Sequence, residues 1–455
     1  MYSHSHNLNR RNFILASGTG LAAGYATIAT RTSLAEDRPA VKFPRATSGD
    51  TAAEPNWEEK LSITVGPKDA DIVGTSQKAL QAAVDYVARL GGGTVKVLPG
   101  EYKLRNSVFL ASKVRLLGSG DESRLIKEPS ISTKLAADSD WYDQEITLAD
   151  ARGFQIGDGI CLRGKDADGK RNVVIKRTLV ARSGNRFKLD RALRENTWLP
   201  GQPTAATLFP LFSGENLSNL RIENIALDGN KANNEELDGN YAGCIFLQDC
   251  RQIRIAGVTA RNYRGDGVSW QICHDVTVEN CHSHDNTGLG LHPGSGSQRP
   301  LIRSNRLERN DQGLFFCWGV KFGLAEKNVI EGNRRFGISI GHRDTDNLIR
   351  DNDIRASGEV GILFRKERGL AYNAHRNRVE NNRIVDLGKE FGVGIDIQGQ
   401  TGQVQIRHNE IRHTSTPLKR VGVRIGAEAG EITLAANRID GFSEAVQDLR
   451  KTKPA

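Results

Sequence analysis

The sequence predicts an all-β protein: a right-handed parallel β-helix, or solenoid, with an N-terminal capping helix and a small β insertion. Three observations carry this. One phrase returns four times, as NYRGDGVSW from Asn262, NTGLGLHPG from Asn286, NDQGLFFCW from Asn310 and NRRFGISIGH from Asn333, with the lead asparagines 24, 24 and 23 residues apart. A second series runs out of phase with it: Asn305, Asn328, Asn352, Asn382, Asn409 and Asn437, each with Leu or Ile two places on. The composition agrees, since 48 Gly and a single Met in 455 residues suit many short strands and turns rather than helices. Self-similarity at such a period means stacked units, each burying its apolar face only against its neighbours.

In chain order, residues 1–35 are set apart from the fold. NRRNFILASGTGLAAGYATIA places Arg10-Arg11 before a mildly apolar run that ends near Ser33-Leu34-Ala35. It resembles a twin-arginine signal peptide cut after Ala35, which implies export to the periplasm or beyond. The alternative is a lone membrane anchor, for which the run is short and broken by Gly and Thr. Losing Arg10, Arg11 and Arg31 takes the formal charge from +9 to +6, a mild basicity that suits an anionic ligand or an ordinary solvated surface. No nucleic-acid partner is expected, and no membrane span in the mature chain. Residues 36–60 are polar, carry Pro39, Pro44 and Pro55, and read as a linker.

The segment 61–130 reads as the cap and first rungs. Leu80, Ala83, Val84, Val87 and Leu90 fall at helical spacing, Thr75 or Ser76 can cap the start, and Gly91-Gly92-Gly93 stops it. An amphipathic helix laid over the open end of a stacked sheet shields edge groups from other chains. Residues 131–215 break the rhythm with strand-like runs between Gly and Asp turns, and predict a β-rich insertion or elaborated early rungs. Within it KDADGKRN at Lys165 holds Asp166 and Asp168 in calcium-loop order without the other ligands, so a hairpin turn is expected. The β-helix proper runs over 216–450, and 451–455 is a tail.

Aligning on Gly243, Gly267, Gly290, Gly313, Gly337, Gly361, Gly394 and Gly422 puts Cys, Val, Leu, Leu, Ile, Ile, Ile and Val next in line, an inward position at every level. The asparagines suit tight left-handed corners and can bond from rung to rung through their amides. Steps of 33 residues from Gly361 to Gly394 and 28 from Gly394 to Gly422 mark loops thrown out of the stack. Cys250 and Cys273, 23 apart, are expected to face each other on adjacent rungs, as a bridge or as stacked thiols.

The stretch DIVGTSQKALQAAVDYVARLGGGTVKVLPGEYKL from Asp71, with the rhythm over about 70–450, resembles the pectate-lyase-like β-helix superfamily, whose members include polysaccharide lyases and polygalacturonase-like hydrolases. RGDGVSW at Arg264, GLHPG, IGHRD and FRK at Phe364 resemble parts of the hydrolase pattern, but its second aspartate is missing. Asp266 and Asp396 are five rungs apart, roughly 24 Å, too far for an inverting pair at about 6.5–9.5 Å. Asp266 is then a turn residue or a substrate contact.

Alternation sends Ser269, Gln271, His292, Phe315, Cys317, Ser339, Leu363, Arg365, Asp396 and Gln398 outward, with Trp318, Lys321, His342, Arg343, Asp344, Lys366 and Glu367 just beyond the strands. This flank is richer in cations than in paired acids, which suits eliminative cleavage of a uronic-acid polymer. Such a reaction needs a base for the proton beside the carboxylate, and positive charge for the enolate that develops. His292 or His342 is the expected base, and Arg343, Arg365 or Lys366 the neutralising charge. Phe315 and Trp318 are the expected sugar platform, with Gln271, Asp266 and Lys321 as further substrate contacts, whereas Trp270 and Phe316 have an inward phase.

Two other readings stand beside this one. A glycoside hydrolase would use Asp344 and Glu367, on adjacent rungs, as acid and base. A non-catalytic β-helix would bind glycan or build a cell surface. No metal ligand set is assigned: His282, His284, Asp285 and His292 lie within eleven residues and His342, Asp344 and Asp346 within five, but without cysteine at ligand spacing. Calcium shared with the substrate's carboxylate, as the resemblance implies, is the one candidate cofactor.

Overall fold

The computed structural model describes residues 57, 59–166, 168–388, 392–414 and 420–451. The expected export signal at 1–35, all but residues 57, 59 and 60 of the expected linker at 36–60, and the last four residues of the tail lie outside them.

From Lys60 onward the chain winds as a right-handed parallel β-helix. One flank is an eleven-stranded parallel sheet, here numbered β1 Val108–Phe109, β2 Phe212–Glu215, β3 Ile245–Gln248, β4 Val268–Gln271, β5 Leu289–Gly294, β6 Gln312–Phe315, β7 Phe336–Ile340, β8 Val360–Phe364, β9 Gly392–Ile397, β10 Arg420–Ile425 and β11 Glu444–Asp448. The other sides belong to a 22-stranded sheet, to which most coils give two short strands, such as His274–Glu279 and His282–His284.

The inward row pairs Val268 with Leu291, then Leu314, Ile338, Ile362, Ile395 and Val423. Every one of these is buried, and each contributes on the order of 2 kcal/mol by leaving water. The first coil departs from the glycine alignment by one residue. Val268 pairs with Ile245, and Cys244 instead fills the place of a glycine, its thiol against the carbonyls of Leu227 and Arg261.

The asparagine ladders form, but not with the backbone their sequence suggests. Asn305 donates its amide N–H to Oδ1 of Asn328 at 3.0 Å, Asn328 to Asn352 at 3.0 Å, Asn352 to Asn382 at 3.1 Å, and so on to Asn437. The left-handed residue is the one before each: Ser304, Lys327, Asp351, Asn381, His408 and Ala436 all have φ between 53° and 55°. Putting the corner one residue earlier turns the asparagine side chain inward, where its amide reaches both adjacent rungs.

Helix α1, Gln77–Arg89, covers the first coils with Leu80, Ala83, Val84 and Val87 buried. Between the strands Val114–Lys127 and β2, a six-stranded antiparallel sheet forms the insertion, with its own core around Leu148, Leu162, Leu179 and Phe187. Its turn at Lys165 closes a plain hairpin, with Asp166 N–H on Arg171 O at 2.9 Å. Cys250 and Cys273 remain free thiols, stacked so that the Cys250 N–H reaches Cys273 Sγ at 3.4 Å. Much of the basic surface is already paired, for instance Arg254 between Glu223 and Glu279, so net charge alone marks no anion site.

Candidate functional site

The outward face of the eleven-stranded sheet collects the residues singled out in the sequence. Register carries one outward row through Ser213, Phe246, Ser269, His292, Phe315, Ser339, Leu363, Asp396 and Arg424. A second row, two residues on, runs Gln271, Gly294, Cys317, Gly341 and Arg365. The glycines matter by their lack of a side chain. A Cβ on Gly294 would lie 2.2 Å from Oε1 of Gln271, and one on Gly341 would lie 2.6 Å from the Arg365 guanidinium. Gln271 and Arg365 therefore fold across the two glycine rungs towards the Cys317 thiol between them, which burial pushes up to about 12 and so keeps protonated.

Arg365 spreads its guanidinium over the Phe315 ring at 4.2 Å and donates to Ser339 Oγ and the Phe316 carbonyl, both at 2.7 Å. Nε stands 4.0 Å from Glu367, beyond hydrogen-bond distance. Burial lowers the guanidinium from its ordinary value, and Asp344 opposes that shift.

Beside it His342 presents Nδ1 to Glu367 Oε2 at 3.2 Å. Its ring stacks on Trp318 at 4.6 Å and meets Tyr372 at 5.2 Å. Glu367 thereby fixes the tautomer that leaves Nε2 as the basic nitrogen. Trp318 is 56% exposed, at φ +61°, while Phe315 is half-buried beneath Arg365. Arg343 lies over Tyr372 at 4.3 Å and is exposed.

Several expectations change. Both histidines are buried, but His292 is shut off further: its side chain is 3% exposed against 9% for His342, with Nδ1 on Asp266 Oδ2 at 2.8 Å. The loop carrying Gly239 lies over it, anchored by Ser269 Oγ on the Gly239 carbonyl at 2.6 Å. Asp266 is correspondingly no substrate contact, since its other oxygen accepts the Leu289 N–H at 2.8 Å. Gln271 is also buried, donating to Ser269 Oγ.

Asp344 cannot serve as half of a hydrolytic pair. It is fully buried, with Oδ1 on the Gly319 and Val320 N–H groups and Oδ2 on that of Gly341. Burial raises its pKa against the pull of Arg365 and those amides. Its role is to hold the turn that presents His342. Lys366 is exposed and paired with Glu428 at 3.5 Å, and Lys321 is joined by single parallel bridges to Gln298 and Thr345 on the rungs either side.

Among the described residues no group of three or more His, Cys, Asp or Glu is placed to hold a metal ion. His282 and His284 stack at 4.0 Å, but on the other sheet from His292, and each is taken by a carboxylate, Glu308 and Asp285. Near the dyad, Asp344 is spent on backbone amides and Glu367 on His342, so these residues do not fit a calcium ion held by protein alone.

Tyr372 escaped the sequence reading. It stands on the 3-10 turn Leu370–Tyr372, inside the 33-residue step that marked a projecting loop. That step was the available signal.

Residues 222–369 and 324–447 match the family model described as right handed beta helix region. Over 334 residues, 72% of this chain, the sequence is 22% identical to the mannuronan C5-epimerases AlgE2 and AlgE5 of Azotobacter vinelandii. That match is 24% of each, so the chain spans about a quarter of the length of these curated relatives. Among solved structures, the A-module of the Azotobacter vinelandii mannuronan C-5 epimerase AlgE6 superposes with a TM-score of 0.50 at 17% identity, over 82% of this chain and 91% of that one. At that identity the likeness is one of fold.

Proposed function

We propose that this right-handed parallel β-helix protein is a carbohydrate-active enzyme that removes the C5 proton from a residue of a uronic-acid polysaccharide. The observation that carries the reading is the His342–Glu367 dyad, set one rung from Arg365 and against the exposed Trp318.

The sugar ring stacks on Trp318, and its carboxylate takes the remaining donors of Arg365, with Arg343 on the rim. A planar, permanently charged fork matches a carboxylate and stabilises the extra charge as C5 loses its proton. His342 Nε2 takes that proton, and Glu367 steadies the imidazolium that results. The electron pair left at C5 moves into the carboxylate as an enolate.

Two outcomes share this intermediate. Return of a proton to the opposite face of C5 inverts the centre, and likeness to the mannuronan C5-epimerases supports this epimerisation as the first reading. Expulsion of the C4 oxygen instead breaks the chain and leaves a C4–C5 double bond. What favours this elimination is that the Tyr372 ring meets His342 at 5.2 Å, which sets a phenol able to give the leaving C4 oxygen its proton on the same flank as the base.

Incubation with polymannuronate and other uronans in heavy water tests the reading. Deuterium at C5 without chain cleavage is expected for epimerisation, and unsaturated, ultraviolet-absorbing ends for elimination. Neither deuterium nor unsaturation with any uronan would refute C5 chemistry.

A further inference from the structure

A cavity of about 610 Å³ opens at the N-terminal end of the same sheet face, between the insertion hairpin and strands β1 to β3. That volume lies within the roughly 300–1,000 Å³ of small-ligand sites. Phe109, 47% exposed, forms one wall, and Phe246 lies in the outward row that continues to Ser269 and His292. The cavity is thus in line with the dyad, four rungs or roughly 20 Å away.

Its charge is unusual. Lys176 rests its ammonium on the Phe246 ring at 3.9 Å and donates to the Tyr241 carbonyl, with no carboxylate partner among the described residues. Arg191 lines the same space, and its charge bears on Lys176. Of the acids present, Asp190 accepts the Thr178 N–H with one oxygen and stands 3.9 Å from Arg191 Nε with the other, Glu195 is paired with Arg171, and the exposed Glu215 bears on Lys176 from the rim. Two cations thus border a partly apolar cavity, Arg191 loosely held by Asp190 and Lys176 hydrogen-bonded to a carbonyl rather than to a carboxylate.

We propose that this cavity is a second carbohydrate-binding site, which holds an anionic sugar residue of the polymer with its carboxylate at Lys176 and Arg191 and its ring against Phe109. It rests on the uronate reading for the class of sugar. A polymer bound here and at Trp318 spans several sugar residues, so the insertion, which the solenoid does not need for its own stacking, becomes the part that selects long acidic chains. Burial lowers Lys176 to about 8, so the site is charged at neutral pH and weakens above that value.

Calorimetric titration with a long uronate oligomer and its carboxyl-reduced, neutral counterpart tests this. The wild type is expected to prefer the acidic oligomer. Lys176→Gln and, independently, the exposed Arg191→Gln each cut that preference about tenfold, the scale of one charge-assisted contact. Preference unchanged in both variants overturns the second site, even where the enzyme converts uronans. Preference that depends on Lys176 in a protein that exchanges no C5 proton upholds the site and sinks the activity.

Discussion

Nδ1 of His342 lies 3.2 Å from Oε2 of Glu367, although the two are 25 residues apart in the chain. One turn of the coil separates them, and the asparagine ladder beneath fixes how far each rung advances. If the imidazole is the base, its carboxylate partner governs both orientation and charge. His342→Ala is expected to lower kcat by about a thousandfold, the usual worth of a positioned base. Glu367→Gln keeps the shape but loses the charge, and is expected to cost about a hundredfold in kcat with KM little changed. An unchanged kcat in Glu367→Gln would separate the carboxylate from the chemistry.

Trp318 offers a cleaner division between binding and stability. Its ring is mostly in water and packs on His342, so removing it leaves the core intact. Trp318→Ala is expected to raise KM about tenfold, with a melting temperature close to that of the wild type. Because the backbone there is left-handed, at φ +61°, Trp318→Gly is expected to melt no lower than Trp318→Ala. Denaturation curves beside steady-state kinetics check both.

The ladders make an opposite prediction. Asn328 accepts from the backbone N–H and the Nδ2 of Asn305, and donates to the Ile302 carbonyl and to Asn352 Oδ1, all within 3.0 Å. Asn328→Ala strands these buried groups, at a cost of about 3 kcal/mol or more. At the outer end of the ladder Asn437→Ala leaves fewer partners unpaired and is expected to cost about half as much. Urea titration of the two variants ranks them.

How far the site could be read from the chain follows from these same residues. Period and alternation give the sheet, the inward row and the rung separations, because they depend only on spacing. They place Phe315, Trp318, His342 and Arg365 on one flank for that reason. They do not give depth. Nothing local to GLHPG reports that the Gly239 loop, some fifty residues earlier, covers His292, and nothing in HRD reports that Asp344 turns back onto three backbone amides. The corner position was misjudged by one residue for a related cause. Asparagine is at home both in left-handed turns and in amide ladders, and the neighbouring rung decides which. Tyr372 was hidden because loops lack the period that makes strands legible.

Lys127 supplies a test that depends on burial alone. Its ammonium is 1% exposed, bonded to the Thr207 carbonyl and Asn234 Oδ1, with the Phe209 ring 4.4 Å away. Desolvation lowers it to about 7 from its ordinary 10.5. Between those two values the unfolded chain holds the proton and the folded chain does not, so stability from this group rises with pH from about 7 to about 10 and is lowest below 7. The slope is at most about 1.4 kcal/mol per pH unit. Lys127→Met, which keeps the length and discards the charge, is expected to remove that rise, so the stability gap between wild type and variant narrows or reverses in favour of the wild type as pH increases. Cysteines and tyrosines that ionise on unfolding act equally on both proteins and cancel in the comparison. A gap independent of pH across this window, measured by chemical denaturation, would show that the buried ammonium keeps its proton through interactions stronger than the carbonyl and amide oxygens around it.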